Sequence, residues 1–247
     1  MKKQNVIVTG GGSGIGRAIA QKVADGGAET IILLDLDLDR TGMEETAATI
    51  EGCRVEIHAL DITDDAAVDA VFDQILSRHE AIHTVYNCAG IQTGSPAWPE
   101  VSPARMRAVV SVNLIGLMFV TQKAIGLMEK TGGSILNIAS TSGLNAYLSG
   151  AVYGASKAAV IHFTACNASL KESHNIRINA ICPGMVNTPF LEKTGAGGKV
   201  AGWLQDRVKS GEMLTAEQVA DAAVRLANDE TKAGCHEVID YEGAASD

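Results

Sequence analysis

The sequence predicts a doubly wound α/β domain built on a mostly seven-stranded parallel sheet. Short apolar runs typical of strands alternate with longer segments in which apolar residues recur at helical spacing, along all 247 residues. No shift of composition, internal repeat or low-complexity tract divides the chain. We therefore treat residues 1–247 as a single domain.

The first half of the chain contains four of the predicted strands. They cover residues 6–8, 31–34, 55–59 and 82–87, and the run at 31–34 is continuously apolar, as expected for a strand buried on both faces of a sheet. Helices are predicted between them, and the first of these helices ends at Gly26. Thr63 is the expected N-cap of the helix after the third strand, because Asp64 and Asp65 then lie in its first turn.

The second half contains the other three strands and the longest helices. Ser102 and Pro103 predict the start of a long helix, with serine as the cap and proline at its first position, which runs through Asn113 toward residue 128. Thr215 and Gln218 have the spacing of a capping box and predict the start of the last helix. The strands are expected at residues 134–139, 176–182 and 237–240, and a further helix at 152–170.

Composition and charge exclude several classes of function. The net charge is −9, and lysine and arginine form no basic stretch, so we expect no nucleic-acid partner. The N-terminal apolar run is too short for a signal peptide, and no apolar stretch approaches the roughly 18 residues of a spanning helix. We therefore expect a cytoplasmic protein with no membrane partner. The five cysteines and six histidines lack metal-ligand spacing, so no metal site is predicted.

A glycine-rich turn, TGGGSGIG at residues 9–16, lies between the first predicted strand and the first helix. Glycines let the backbone approach a pyrophosphate, whose charge the N-terminus of the following helix would meet. The spacing differs from the usual GxGxxG, and Arg17 stands where a Walker A loop needs its Lys-Ser/Thr pair. A turn without a ligand is the alternative. The expected dinucleotide-binding residues are Gly10, Ser13, Gly14, Ile15 and Gly16.

Asp35 indicates which dinucleotide would bind. It lies about 20 residues beyond the glycines, at the end of the second strand, where a carboxylate can accept hydrogen bonds from both adenosine ribose hydroxyls. The same charge would repel a 2′-phosphate, and residues 35–37 offer no lysine or arginine to bind one. We therefore predict NAD rather than NADP as the cofactor. Arg17 could reach toward a phosphate, although a solvent-facing place on its helix is the preferred interpretation.

Tyr153 and Lys157 stand four residues apart in a predicted helix and therefore share one face. A phenol titrates near pH 10, and the positive charges of Lys157 and of an oxidised nicotinamide would move its pKa toward neutral pH. Ser140 ends the fifth strand, at the edge where α/β folds bind ligands, and can hydrogen-bond the reacting oxygen beside Tyr153. These residues predict proton transfer by Tyr153.

Together the motifs resemble the short-chain dehydrogenases/reductases in their single-domain form, over nearly the whole chain. The resemblance rests on TGGGSGIG at 9–16, Asp61, NCAG at 87–90, Asn113, Ser140, YGASK at 153–157 and PGMVNT at 183–188. It implies a Rossmann-like fold and the NAD(H)-dependent interconversion of a secondary alcohol and a ketone. The catalytic residues would be Asn113, Ser140, Tyr153 and Lys157. An NADPH-dependent ketone or 3-ketoacyl reductase is the alternative, and a catalytically silent nucleotide-sensing protein is a third reading.

The resemblance also implies roles for single residues. Asp61 and Ile62 would bind adenine, and Lys157 would bind the nicotinamide ribose. Asn113 would interrupt its helix and hold a water that links Lys157 to solvent. The other cofactor residues would be Asn87, Ala89, Gly90, Tyr153, Pro183, Gly184, Val186 and Thr188. Cys88 replaces the usual second asparagine of the family, and the C-terminal YEGAASD replaces a frequent DGG ending that contributes to subunit contacts; a homo-oligomer, a tetramer or a dimer, is still expected.

Residues 189–212 are glycine-rich and weakly periodic, and we predict that they form a substrate lid, with surface decoration as the alternative. A small-molecule alcohol or ketone would bind beneath it. The candidate substrate residues are Gln92, Ser142, Asn145, Tyr147 and Met185, with Trp98 and Phe190 nearby. The lid adds Lys193, Lys199, Trp203 and Arg207, whose cations could meet a carboxylate, sulfonate or phosphate. The polar side chains of Gln92, Ser142 and Asn145 indicate a polyol, sugar or hydroxy-acid derivative as the substrate, while acyl thioesters and steroids remain open.

Overall fold

Seven parallel strands form the centre of the computed structural model, which describes residues 4–147 and 150–241. The strand order is β3-β2-β1-β4-β5-β6-β7, so the chain builds the sheet outward from β1 and then, beginning at β4, outward in the opposite direction. This order confirms the predicted doubly wound, Rossmann-like architecture. The strands are β1 Asn5–Thr9, β2 Thr30–Asp35, β3 Arg54–Ala59, β4 Thr84–Asn87, β5 Gly133–Ile138, β6 Ile176–Pro183 and β7 His236–Ile239.

Helices cover both faces of the sheet. On one face α1 packs against α9, and on the other α3 packs against α5 while α6 packs against α4. The helices are α1 Gly14–Asp25, α2 Arg40–Ala48, α3 Asp65–Arg78, α4 Pro103–Val110, α5 Leu117–Met128, α6 Ala151–Cys166, α7 Leu170–His174, α8 Gln205–Ser210 and α9 Ala216–Asn228.

The central strands are mainly apolar because both of their faces are buried. Val6 and Val8 of β1 point into the cluster beneath α1 and α9, whereas Ile7 points into the cluster beneath α3 and α5. Each of these side chains is fully buried, which stabilises the fold by roughly 1.5–3 kcal/mol per side chain. This packing fixes the carboxyl ends of the strands, where the functional residues lie.

A π-helical segment, Ser111–Gly116, joins α4 to α5 in one long helical run. Ser102 caps the run as predicted, since its hydroxyl accepts the N–H of Arg105 at 3.2 Å. The sequence prediction that no stretch reaches spanning length is wrong here: within the described residues, Pro103–Met128 is long and apolar enough to cross a membrane. Part of its apolar surface packs instead into the core, through Val120, Ala124 and Met128.

Several predicted boundaries also need correction. Asp64 rather than Thr63 caps α3, because Asp64 accepts the Ala67 N–H at 3.0 Å while the Thr63 hydroxyl donates to Asp61 at 2.7 Å. The fourth strand begins at residue 84 instead of 82. Helix α6 ends at residue 166, where Asn167 caps it and donates from its side chain to the Phe163 carbonyl.

The capping box at the start of α9 is confirmed in both directions. The Thr215 hydroxyl accepts the Gln218 N–H at 3.2 Å, and the Gln218 side chain accepts the Thr215 N–H at 2.8 Å. The segment before it, predicted as a lid, contains helix α8 and three short 3-10 turns at Pro189–Thr194, Ala196–Gly198 and Gly202–Leu204. Residues 242–247, which hold most of the unusual C-terminal ending, lie outside the described residues.

Candidate active site

A cavity of about 770 Å³ opens at the carboxyl ends of the strands. Residues that follow β1, β2, β3, β4, β5 and β6 all contribute to its wall, so it spans the point where the strand order reverses. Ligands of doubly wound sheets bind at this position. Its volume is that of a site for a small molecule or a cofactor.

The glycine turn forms the floor of this cavity by direct contact with the end of β4. The Thr9 hydroxyl accepts the N–H groups of Cys88 and Ala89 at 3.0 and 3.1 Å. Gly10 has a φ of +66°, and a Cβ at this position would lie 2.9 Å from the Ala89 nitrogen. Only glycine meets both requirements, so the close approach of β1 and β4 depends on Gly10.

Helix α1 begins directly against the turn and directs its N-terminus into the cavity. A Cβ at Gly16 would lie 2.1 Å from the Gly10 carbonyl oxygen, so glycine is needed for this contact. Ser13 is the N-cap, yet its side chain makes no capping hydrogen bond. The N–H groups and the positive end of the helix dipole therefore meet the cavity without a side-chain cap, which suits a diphosphate.

Asp35 reaches the same cavity from the end of β2. One carboxylate oxygen accepts the Gly12 N–H at 3.0 Å, and the other accepts the Leu36 N–H at 2.9 Å. Burial raises the pKa of Asp35, while these two N–H groups and the charge of Lys193 act to lower it. The glycine turn thus fixes the carboxylate at the cavity wall.

Arg17, the cation nearest to the turn in sequence, is directed away from the cavity. Its guanidinium donates to the Gly12 and Gly42 carbonyls at 2.7 and 3.2 Å, to Glu45 at 2.9 Å and to the Thr46 hydroxyl at 3.0 Å. It links the back of the glycine turn to α2. The structure therefore corrects both earlier interpretations, since Arg17 neither lines the cavity nor simply faces solvent.

Tyr153 and Ser140 lie together at the opposite end of the cavity from Asp35. Both line it, and each is 8% exposed. Burial raises the pKa of the Tyr153 phenol to about 12, and a hydrogen bond with the Ser140 side chain opposes this rise. The Ser142 N–H donates to the Ser140 oxygen at 3.1 Å and holds the hydroxyl in place. Without further positive charge, the phenol keeps its proton at neutral pH.

Lys157 lies beneath Tyr153 and is 4% exposed. Its Nζ donates to the Ile138 carbonyl at 2.7 Å and lies 5.8 Å from the centre of the Tyr153 ring. Burial lowers the pKa of Lys157 to about 8, and the nearby thiols of Cys88 and Cys182 act to raise it. The ammonium therefore lies beside the Tyr153 ring in an environment that disfavours its own charge.

Two glycines bring the Ser140 segment against α6. A Cβ at Gly154 would lie 2.6 Å from the Ser142 carbonyl oxygen, and one at Gly143 would lie 2.7 Å from the Ala158 nitrogen. The segment therefore packs onto the helix backbone between Tyr153 and Lys157. Gly154 of the YGASK motif is therefore needed for this close contact, which the motif alone does not reveal.

Asn113 interrupts its helix as predicted, within the π-helical segment. Its amide oxygen accepts the Ile91 N–H at 2.8 Å, and its amide nitrogen donates to the Ile91 carbonyl at 3.0 Å and to Ser156 at 3.1 Å. A Cβ at Gly90 would lie 3.3 Å from the Asn113 oxygen and 3.6 Å from Lys157 Nζ. Asn113 is fully buried behind the cavity wall, so its predicted role in a proton relay stays a prediction.

Asn87 does not line the cavity, in contrast to the prediction. It is buried in the sheet and donates from its side chain to Thr121 and Asn137 at 3.0 and 2.9 Å. Asn137 in turn donates to Thr164 at 3.0 Å. Asn87 therefore supports the central strand, as expected, through a polar network that joins β4 and β5 to α5 and α6.

Most other predicted residues do line the cavity. The cofactor residues among them are Gly10, Ser13, Gly14, Ile15, Gly16, Asp35, Asp61, Ile62, Ala89, Gly90, Pro183, Gly184, Val186 and Thr188. The substrate and lid residues among them are Gln92, Ser142, Tyr147, Met185, Phe190, Lys193 and Arg207. Asn145, Trp98 and Lys199 do not line it and are exposed, because their segments turn outward from the strand ends. The side chain of Trp203 lies outside the described part of the structure.

Some residues of the cavity wall were not predicted from the sequence. Cys88, Ile91 and Ala139 neighbour predicted residues and could have been found from their positions at strand ends. Arg105 is different, because it lies near the start of α4, far from every motif. Its guanidinium donates to the Gln92 and Thr93 carbonyls and so reaches the cavity. No sequence signal marks it.

Comparison with known proteins agrees with this geometry. The sequence profile described as short chain dehydrogenase matches residues 4–198. The chain is 31% identical to a 3-oxoacyl-[acyl-carrier-protein] reductase of Thermotoga maritima, over 96% of this chain and 95% of that protein. It is 30% identical to a 3beta-hydroxysteroid dehydrogenase of Mediterraneibacter gnavus, over 92% and 89%.

A solved structure gives the same result in three dimensions. The 3-ketoacyl-(acyl-carrier-protein) reductase of Brucella melitensis complexed with NADH superposes with a TM-score of 0.86, covers 98% of both chains and is 28% identical. The profile match rests on most of the chain, and the two relatives and this superposition rest on nearly all of it. The chain is therefore an oxidoreductase of the short-chain dehydrogenase family.

Proposed function

We propose that the chain interconverts a secondary alcohol and a ketone with NAD(H), and that Tyr153 transfers the proton. The observation that carries this proposal is the continuity of the cavity. A single wall runs from Asp35, past the glycine turn, to Ser140 and Tyr153. A dinucleotide with its adenosine at Asp35 and its diphosphate at the turn would place its other end beside the phenol.

The residues at the adenosine end fit NAD better than NADP. The Asp35 carboxylate can accept hydrogen bonds from two ribose hydroxyls, whereas a 2′-phosphate would meet its negative charge. Arg17 cannot balance that charge, because its donors are bound by the turn and by α2. The shape of the turn requires glycine at Gly10 and Gly14, where φ is positive and a Cβ would crowd Ala89 and Thr188, respectively.

The bound nicotinamide would accept or supply the hydride. In the reducing direction Tyr153 donates its proton to the carbonyl oxygen, and the pKa of about 12 keeps the phenol protonated beforehand. Ser140 donates a hydrogen bond to the same oxygen and stabilises the charge that develops there. In the oxidising direction Tyr153 must accept a proton, and the Lys157 ammonium favours the phenolate that does so.

Lys157 would also bind the nicotinamide ribose, and Asn113 would hold a water between Lys157 and solvent. Supporting this relay, the Asn113 oxygen and Lys157 Nζ both reach the space above Gly90. A proton lost from Tyr153 would leave along this path. We further propose that residues 189–212 form a lid over the substrate, because Phe190, which packs against Tyr153, and Leu204 both line the cavity.

An NADPH-dependent 3-ketoacyl reductase is the second candidate. Two observations favour it: the charge of Lys193 acts on Asp35 and would offset repulsion of a 2′-phosphate, and a reductase of this class is among the relatives. Both candidates would act on small molecules. We also propose that the chain works as a homo-oligomer, which mass photometry of the purified protein would test.

Titration of the protein with NADH and NADPH, followed by cofactor fluorescence, separates the two candidates. We expect NADH to bind at least about tenfold more tightly, since one unfavourable charge contact is worth about 1.4 kcal/mol or more. A screen of secondary alcohols with NAD and ketones with NADH, followed by NADH absorbance, then tests turnover. Tighter binding of NADPH would overturn the NAD assignment, and no turnover with any compound would favour a nucleotide-sensing protein.

A further inference from the structure

The charged residues that line the cavity divide by sign according to the strand that they follow in the chain. The three acidic ones, Asp35, Asp39 and Asp61, follow β2 and β3. The four basic ones follow β4, β5 or β6, and they are Arg105, Lys157, Lys193 and Arg207. Strand β1 lies between the two groups in the sheet. Within the described residues, no carboxylate lines the half of the cavity that contains Tyr153.

This separation is unexpected in a chain with a net charge of −9. Two of the four cations already have a function in the cavity. Lys157 is buried beneath Tyr153, and the charge of Lys193 acts on the Asp35 carboxylate. The remaining two, Arg105 and Arg207, form no ion pair with a carboxylate among the described residues.

Arg105 is held rigidly at the wall. Its Nε donates to the Thr93 carbonyl at 3.0 Å, and Nη2 donates to the Gln92 carbonyl. Both acceptors belong to residues that line the cavity, and Arg105 itself is half-buried. Two carbonyls thus fix the guanidinium plane, while most of its five N–H donors are left for a ligand. A fixed guanidinium fork matches the two oxygens of a carboxylate.

Arg207 lies on α8 and also lines the cavity. Leu204 precedes it by three residues, is 4% exposed and lines the cavity. Residues three apart share a helix face, so the packing of Leu204 turns Arg207 toward the cavity as well. Lys209 lies on the same helix but does not line the cavity. Arg207 therefore lines the cavity because of the face of α8 on which it lies.

We propose that the natural substrate carries a carboxylate, and that Arg105 and Arg207 bind it. This proposal rests on the proposed function, because it concerns the substrate of the same reaction. The substrate is then an oxo acid in one direction and a hydroxy acid in the other. Arg105 fixes the position of the carboxylate from the cavity wall, and Arg207 covers it from the lid segment.

The test compares matched pairs of probes: straight-chain 2-, 3- and 4-oxo acids and their methyl esters, each with NADH. Acid and ester share the reacting ketone and differ in charge. We expect kcat/KM for the best acid to exceed that of its ester about tenfold or more, since a charge-assisted hydrogen bond contributes at least this much. Arg105→Gln and Arg207→Gln should each reduce the acid-to-ester ratio toward one, chiefly through KM for the acid.

Matched controls lie on the same two helices. Arg107 is exposed on α4 and Lys209 on α8, and neither lines the cavity, so Arg107→Gln and Lys209→Gln should keep the wild-type ratio. Arg105→Lys retains the charge but loses the fork, and should recover part of the ratio. The activity of the variants on the esters shows that they are folded and that the proposed chemistry is intact.

A binding measurement makes the outcome independent of turnover. The melting temperature of the wild-type NADH complex should rise with the acids more than with the esters, and Arg105→Gln should remove the difference. Esters that react as well as acids, or variants that slow both equally, would overturn the carboxylate site and leave the proposed function standing. Absence of turnover with a persisting acid-specific rise in melting temperature would instead count against the proposed function alone. Absence of both turnover and the acid-specific rise in melting temperature would overturn the carboxylate site.

Discussion

The Asn113 amide donates a hydrogen bond to the Ser156 hydroxyl at 3.1 Å, and Ser156 in turn donates to the Tyr153 carbonyl at 2.6 Å. The π-helical segment is thereby joined to the helix that carries Tyr153 and Lys157. The same asparagine binds both backbone groups of Ile91. One side chain therefore holds the long helix, the segment after β4 and helix α6 in register.

Asn113→Ala should reduce both turnover and stability. It leaves the N–H and carbonyl of the half-buried Ile91 without their partner, at a cost of about 1–3 kcal/mol in the free energy of unfolding. Ser156→Ala removes only the connection to α6 and should cost about 1 kcal/mol while most activity is retained. Urea denaturation and steady-state rates measure both effects. Equal losses of kcat in the two variants would contradict a specific role for Asn113.

Tyr153→Phe should leave NADH affinity within about twofold of wild type and reduce kcat by several orders of magnitude. The ring keeps its packing against Phe190, whose ring centre lies 6.1 Å away, but the proton donor is lost. Tyr147→Phe is the control, since that tyrosine lines the cavity and is exposed. Turnover near the wild-type rate in Tyr153→Phe would remove Tyr153 from the mechanism.

Asp35→Asn should change cofactor preference without disturbing the turn. Asparagine keeps an oxygen that can accept the Gly12 N–H, but it loses the charge that acts on a ribose or a 2′-phosphate. We expect NADH to bind about tenfold more weakly and NADPH to bind no more weakly than to wild type. Fluorescence titration measures both values. Asp37→Asn, outside the cavity wall, should change neither.

Lys157→Met should abolish turnover yet raise the melting temperature at pH 7. Burial lowers the pKa of Lys157 to about 8 from 10.5, so the folded state disfavours the ammonium at neutral pH. Between pH values of about 8 and 10.5, the unfolded chain binds more protons than the folded protein does. The stability of the wild type therefore increases as the pH rises through this range.

The difference in melting temperature between Lys157→Met and wild type should accordingly be largest below pH 8 and narrow toward pH 10. Each kcal/mol corresponds to roughly 2–4 °C in a domain of this size. Thermal unfolding of both proteins across pH 7–10 measures this difference. A variant less stable than wild type at every pH would show that the bond from Lys157 to Ile138 outweighs the burial of charge.

Gly154→Ala should destabilise the protein although alanine favours helices. The new Cβ would lie 2.6 Å from the Ser142 carbonyl oxygen, which belongs to the backbone and must move, and Ser140 would move with it. We expect lower kcat and a loss of stability. Gly126 of α5 has no atom within 4 Å of a built Cβ, so Gly126→Ala should instead stabilise by about 0.5–1 kcal/mol.

The sequence allowed the fold and the ends of the cavity to be predicted because both depend on local patterns. Apolar runs placed every strand, and the capping signals at Ser102 and Thr215 identified two helix starts correctly. Thr63 failed as a cap because the carboxylate of Asp61 competes for its hydroxyl, a contact that spacing does not reveal. The cavity residues near strand ends were also predicted from local patterns, because parallel strands end at the same edge of the sheet.

Contacts between distant elements could not be predicted in this way. Arg105 reaches the cavity because two backbone carbonyls bind its guanidinium, and nothing in the sequence around it indicates those acceptors. Asn87 was expected in the cavity from its motif, yet its amide points into the sheet toward Thr121 and Asn137. The direction of a side chain at a strand end depends on its partners in three dimensions.

The binding of Arg17 to the glycine turn has a consequence for engineering. Because its guanidinium is held by Gly12, Gly42, Glu45 and Thr46, it is not available to be recruited for a 2′-phosphate. Neutralising Asp35 removes repulsion but adds no attraction. Lys193 is the cation whose charge acts on Asp35, so a redesign for NADPH gains by adding a second cation, and Leu36, which is 36% exposed at the cavity rim, is a position that offers it room.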